Sequence, residues 1–120
     1  MERTVLINQC QRTFKSAQQV FSLATNTFEY AKSHKVYANE DVKREHLQYS
    51  TDTMSKLEHT LSHIVGFAGV VELTIRQPET SDFEATSNLN KLKELAYDFE
   101  GAVIDFENLM LAKATPINMH

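Results

Sequence analysis

Apolar residues in the first third of the chain recur at alternating intervals of three and four, the spacing that gathers them on one face of an α-helix. The stripe alternates large side chains with small ones, so a neighbouring helix can approach closely and interdigitate with it. Its members are Ile7, Cys10, Phe14, Ala17, Phe21, Ala24, Phe28 and Ala31. The pattern predicts one long helix over residues 3–33, and we interpret the stripe as a core seam rather than a cofactor site.

A second stripe of the same kind occupies the last third of the chain. Ser81 is followed three residues later by Glu84, a capping box that is typical of a helix start. The apolar positions after it are Ala85, Leu89, Leu92, Ala96, Phe99, Val103, Phe106 and Met110. We predict a helix over residues 82–113, and we expect residues 114–120 to form a flexible tail.

The middle third predicts a helix over residues 40–76. Asn39 is a favourable N-cap for it, and Pro78 cannot continue it. The connections on either side are short, which makes consecutive helices antiparallel neighbours. The sequence therefore predicts an all-α fold, an antiparallel up-down bundle of three long helices.

A kink or break near residues 50–53 is the main alternative to this architecture. Ser, Thr and Asp side chains there compete with the helical backbone for hydrogen bonds. The apolar phase also slips, because Val42, His46 and Tyr49 follow a different track from the apolar residues after position 53. A break would leave a short helix over residues 40–50 and give a four-helix bundle, although few Gly and Pro residues interrupt the chain and three helices are favoured.

The least polar run of the chain, residues 61–75, has more apolar residues than a core seam needs. One stripe within it suffices for the core, namely Leu61, Ile64, Ala68, Val71 and Ile75. The remaining apolar residues and two glycines are Val65, Gly66, Phe67, Gly69, Val70 and Leu73. We predict that this second set is the interface of a two-fold homodimer, where glycine permits close helix approach. The alternative is internal cover by a short helix over residues 40–50.

Composition and charge narrow the class of protein. The chain has 120 residues, of which 42% are hydrophobic and 23% charged, as expected of a single globular domain. A net charge of −4 argues against nucleic acid or an anionic membrane as a partner. Cys10 is the only cysteine, which excludes an intrachain disulfide, and its place on the small edge of the first stripe predicts a buried, unreactive thiol. The first residues lack the apolar core of a signal peptide, and the apolar run is too short to span a bilayer, so we expect a cytoplasmic protein.

Two histidines are the only candidates for site chemistry. His59 and His63 are four residues apart, so both side chains could reach one metal ion, but no third ligand is evident. Helical phosphotransfer domains present an exposed His that is usually followed by Lys and Gly at the third and fourth positions. Ser62 and His63 follow His59 at these positions, and Gly66 and Phe67 follow His63, so the Lys is missing. Surface histidines are therefore the favoured interpretation.

Charged side chains on the last helix suggest a second binding surface. Glu94, Asp98 and Asp105 share its outer face, and no basic residue interrupts the acidic series. They predict either a solvated face or a docking surface for a basic protein partner. A basic cluster of Lys32, Lys35, Lys43 and Arg44 could also meet the acidic face of a second copy.

These patterns together predict a small non-enzymatic interaction or regulatory protein. It would be homodimeric and bind an unidentified protein partner, with no cofactor. The competing class is a metal- or ligand-binding bundle, or a histidine phosphotransfer domain, centred on His59 and His63.

Overall fold

A computed structural model describes residues 2–112 as three long helices. Helix α1 spans Arg3–His34, α2 spans Glu40–Arg76 and α3 spans Asp82–Leu111. Residues 2–112 contain no strand and no fourth helix. The prediction of three long helices is therefore confirmed, and the four-helix alternative is wrong. The predicted flexible tail, residues 114–120, lies outside the described residues.

The two interior helix starts have the caps that the sequence predicts. The Asn39 side chain accepts a hydrogen bond from the Val42 backbone N–H at 2.9 Å. The Ser81 hydroxyl accepts one from the Glu84 N–H at 3.0 Å. Each bond satisfies an N–H that the helix itself leaves without a partner, so these two caps fix where α2 and α3 begin.

Contacts between the helices establish an up-down-up arrangement. The Arg3 guanidinium, at the start of α1, donates to the Ile75 carbonyl at the end of α2 at 2.6 Å. At the opposite end of the molecule the Ser50 hydroxyl contacts the Met110 sulfur at 3.1 Å, joining the first half of α2 to the end of α3. Consecutive helices are therefore antiparallel, and the bundle is elongated, with extents of 61 × 19 × 17 Å.

The core lies along the whole length of the bundle, where the three apolar stripes meet. Every member of the predicted α3 stripe is buried. Two aromatic pairs join α1 to α3, with ring centroids 6.5 Å apart for Phe21 and Phe99 and 6.3 Å apart for Phe28 and Phe106. In α1 the first core position belongs to Leu6, whereas Ile7 is half-buried beside it. The core uses one side of each helix and leaves three outer faces.

Helix α2 is continuous through residues 50–53 because the polar side chains there satisfy themselves on its own backbone. Ser50 is fully buried and its hydroxyl donates to the His46 carbonyl at 2.7 Å. Thr53 donates in the same way to the Tyr49 carbonyl at 2.9 Å. A hydroxyl bonded to the carbonyl four residues back is satisfied within the helix, which bends helices more often than it ends them. The slip in the apolar phase is accommodated without a break, since Tyr49 is exposed and Ser50 takes the core position.

Candidate functional site

Between Glu58 and Glu72 the outer face of α2 is a continuous surface without an Asp, Glu, Lys or Arg side chain. We call it the α2 face and define it by residues that are all exposed: His59, Ser62, His63, Gly66, Gly69, Val70 and Leu73. Val70 and Leu73 are large apolar side chains that are 58% and 63% exposed. The face therefore combines exposed apolar area with polar side chains.

The six residues predicted as a dimer interface divide between this face and its flanks. Gly66, Gly69, Val70 and Leu73 lie together on the α2 face. Val65 is half-buried, and Phe67 is half-buried and packs against the core. The internal cover that was the alternative to a dimer is wrong, because residues 40–50 continue α2 and form no separate helix.

The glycines of the α2 face have no packing reason within the described residues. A Cβ built at Gly66 or at Gly69 would meet nothing within 4 Å. Glycine in a helix interior is about 1 kcal/mol less favourable than alanine. The bundle thus carries two destabilising residues on the face that is free to approach another helix.

The two candidate histidines lie on open surface rather than in a polar pocket. Both His59 and His63 are exposed. Within residues 2–112 no group of three or more His, Cys, Asp and Glu side chains is placed to hold a metal ion. The structure therefore adds no third ligand to the pair.

The outer side of α3 is acidic. Glu94, Asp98 and Asp105 are all exposed, and no Lys or Arg occurs from residue 94 to residue 112. Two further carboxylates of this helix point toward α1, where Glu100 accepts from Ser16 and Glu107 accepts from Thr27, each at 3.2 Å. The three predicted partner-binding residues are therefore those that remain at the surface.

The basic cluster near the first connection is largely engaged within the chain. The Lys35 ammonium donates to the Leu109 and Met110 carbonyls, at 3.3 Å and 3.1 Å, and so closes the end of α3. Arg44 pairs with Asp41 at 2.9 Å. Lys32 lies 3.6 Å from Glu29, one helical turn away. Three of the four cations thus already have partners.

Sequence patterns missed a polar junction that joins the first connection to α2. Tyr37 and His46 share a hydrogen bond of 2.9 Å between the phenol oxygen and Nδ1, and the His46 Nε2 is buried without a partner among the described residues. Burial lowers the pKa of His46, and the Lys35 ammonium lowers it further. No helical periodicity could have found this pair, because Tyr37 lies in an irregular segment.

Cys10 is buried, as the sequence predicts. Its thiol donates to the Ala68 carbonyl at 3.3 Å. Burial raises its pKa to about 11, and the Glu72 carboxylate adds to that rise. Because the thiolate is the reactive form, this side chain is a core residue and not a nucleophile.

Comparisons with known proteins found no match for this chain. No protein-family model matches it, and no curated protein or solved structure matches it either. Among residues 2–112, no helix has the combination of length and apolarity that crossing a membrane requires. The surfaces of the bundle are therefore the features from which a function can be inferred.

Proposed function

We propose that this chain is a non-enzymatic interaction protein that forms a homodimer through the α2 face and binds another protein through α3. The observation that carries the proposal is the α2 face itself, an exposed, uncharged and partly apolar surface with two glycines that its own bundle does not require. A face without charge can meet its own copy without repulsion. A two-fold interface needs such self-complementarity, because the same patch serves both partners.

The apolar area is of the right order for association. Full burial of a Val or Leu side chain is worth roughly 1.5–3 kcal/mol. Val70 and Leu73 are 58% and 63% exposed, so burying their remaining surface in two copies would contribute about 4–7 kcal/mol. Association itself costs an estimated 4–15 kcal/mol, so the side chains must be well buried for a stable dimer to form. Glycine serves this requirement, because helices that approach closely bury more of each neighbouring side chain.

An antiparallel crossing at Gly66 gives large residues small or flat partners. In that register a residue a given number of positions after Gly66 faces the residue equally far before it. Val70 then lies opposite Ser62, and Leu73 lies opposite His59. Large side chains opposite smaller ones interdigitate, as they do in the core seams of the bundle.

Light scattering of two matched variants tests the interface. Val70→Glu places a charge at the centre of the α2 face and is expected to give a monomer. Tyr49→Glu is the control, because Tyr49 lies on the same helix, outside the face, and has the same 58% exposure. It should leave the dimer intact, and circular dichroism should show equal helix content in both. A Val70→Glu chain that keeps the dimer mass would refute the interface.

The alternative of a metal-binding or phosphotransfer bundle has no specific observation in its favour. His59 and His63 lie on an open face with no third ligand among residues 2–112, and the Lys that usually follows a phosphoacceptor His is missing. Both histidines fit the dimer proposal as polar members of the α2 face.

A further inference from the structure

Helix α3 carries a second seam on its outer side, separate from the stripe that faces the core. We call it the α3 seam, and its members are spaced four, three, four and three residues apart: Tyr97, Gly101, Ile104, Asn108 and Leu111. All of them are exposed, and the three large side chains are 77%, 55% and 63% exposed in that order. An exposed Phe83 lies two heptads before Tyr97 on the same row. This spacing is the one by which a helix presents a continuous edge to a partner helix.

The α3 seam repeats the design of the intramolecular seams. Large residues alternate with a glycine and an asparagine, and none of the five carries a charge. A Cβ at Gly101 would meet nothing within 4 Å, so the space beside it is open to an incoming side chain. The seam covers fifteen residues, or about 21 Å of helix at 1.5 Å per residue. That length matches two heptads of a docked helix.

Carboxylates flank the seam and determine what can cover it. Asp98 and Asp105 each directly follow a large seam residue, and Glu94 lies one turn before Asp98. Glu100 and Glu107 lie on the opposite flank, toward α1. A second copy laid on the same seam would bring like charges together, which is destabilising.

In the basic cluster that could meet the acidic face of a second copy, three of the four cations already have partners within the chain. Lys35 is held by the carbonyls at the end of α3, and Arg44 is held by Asp41. The occupant that fits the seam is therefore a different molecule that carries both apolar and basic side chains.

We infer that the α3 seam docks one amphipathic helix of another protein, with apolar residues at heptad spacing and Lys or Arg beside them. The apolar residues would pack between Tyr97, Ile104 and Leu111, and the basic residues would pair with Asp98 and Asp105. This inference rests on the proposed function as an interaction protein and names the chemistry of its partner. It does not depend on the dimer, because the seam and the α2 face lie on different helices.

A designed peptide is the probe. It has three heptads. In each heptad Leu occupies the two positions that face the α3 seam, Lys occupies the positions that flank them, and Ala or Gln occupies the rest. One control peptide replaces each Lys with Glu, and another keeps the composition but scatters the Leu residues around the helix. Fluorescence anisotropy should show saturable binding of the Lys peptide that weakens steeply with added salt. Both controls should bind at least tenfold more weakly, and equal binding of either one would overturn the inference.

Variants of the protein test whether the Lys peptide binds at the α3 seam. Ile104→Ala should weaken the Lys peptide at least tenfold, a change of about 1.4 kcal/mol. Tyr49→Ala is the matched control, since Tyr49 is 58% exposed and Ile104 is 55% exposed and Tyr49 lies on neither the seam nor the α2 face, and it should leave peptide affinity unchanged. Asp98→Asn with Asp105→Asn should flatten the salt dependence. Unchanged affinity in the Ile104→Ala chain would refute the seam as the docking site.

Dimer mass, measured on the same samples, separates this inference from the proposed function. Ile104→Ala should remain a dimer even where it loses the peptide. A chain that is monomeric yet binds the Lys peptide through Ile104 would retain the seam and refute the α2 interface. A chain that is dimeric but does not bind the Lys peptide would support the α2 interface and refute the seam.

Discussion

Alanine at Gly66 and Gly69 is expected to stabilise the folded chain while it weakens the dimer. In a helix interior alanine is favoured over glycine by about 1 kcal/mol per residue. The added methyl groups meet nothing within 4 Å at either position, so no steric term offsets this gain. The double variant should therefore raise the free energy of unfolding of the isolated chain by about 2 kcal/mol.

The same methyl groups act in the opposite direction at the proposed interface. An antiparallel crossing at Gly66 brings the two backbones close together, and two added methyl groups per chain place four in the contact. Overfilling a close-packed contact typically costs about 1–3 kcal/mol. The dissociation constant of the dimer should therefore rise by at least about fivefold, the equivalent of 1 kcal/mol.

Gly101 supplies an internal control for both effects. It is also an exposed helix residue whose added Cβ would meet nothing within 4 Å, but it lies on α3. Gly101→Ala should stabilise the chain by about 1 kcal/mol and leave the dimer unchanged. Urea unfolding at concentrations where the chain is monomeric measures the first effect, and sedimentation equilibrium measures the second. If the Gly66→Ala, Gly69→Ala chain is stabilised but dimerises like the wild type, the close approach of the two α2 helices is wrong.

Two further predictions concern the ends of the bundle. Stability should fall as the pH drops below 6.5, because burial, and to a lesser degree the Lys35 ammonium, lowers the pKa of His46 from that value, so the unfolded chain takes up the proton first. Urea unfolding of His46→Phe should show a shallower pH dependence in this range, and an unchanged slope would count against the assignment. Arg3→Ala should cost about 1–2 kcal/mol, since its guanidinium donates to the Ile75 and Thr80 carbonyls but is partly screened at 29% exposure. Arg44→Ala, which breaks only an exposed ion pair, should lower the free energy of unfolding by under about 0.5 kcal/mol in the same urea titration. If both variants lost the same stability, Arg3 would not link α1 to the α2–α3 connection as described.

The helices could be predicted from the sequence because their signals agree with one another. The α3 stripe keeps its three-four spacing over its whole length and follows a clear cap at Ser81, so its burial follows from periodicity alone. Ser50 could not be placed in this way. Its burial depends on two acceptors, the His46 carbonyl within its own helix and the Met110 sulfur across the bundle, and only the first is local in sequence.

The candidate surfaces were only partly readable from the sequence. At 100° per residue, Val65 and Phe67 fall on the flanks of a face that contains Gly66, Gly69 and Val70, and the helix period alone could have separated them. The helix period, applied to the α3 residues outside the core stripe, could also have identified the α3 seam. The sequence prediction chose α2 because its excess apolar residues occur in one continuous run. The apolar residues of the α3 seam are spread over two heptads and separated by acidic residues.

The two surfaces differ in charge, and that difference is the reason we propose different partners for them. A neutral face can pair with its own copy, whereas an acidic face repels its copy and attracts a basic molecule. Because the outer sides of α2 and α3 point in different directions from the bundle axis, a dimer joined through α2 would leave both α3 seams open. It would then hold two basic helices, one per chain, and a partner with two such helices would bind with an avidity that the monomeric Val70→Glu chain lacks. A stoichiometry of one designed peptide per chain in both the dimer and this variant is the expected result, and half-occupancy in the dimer would mean that the seams obstruct each other.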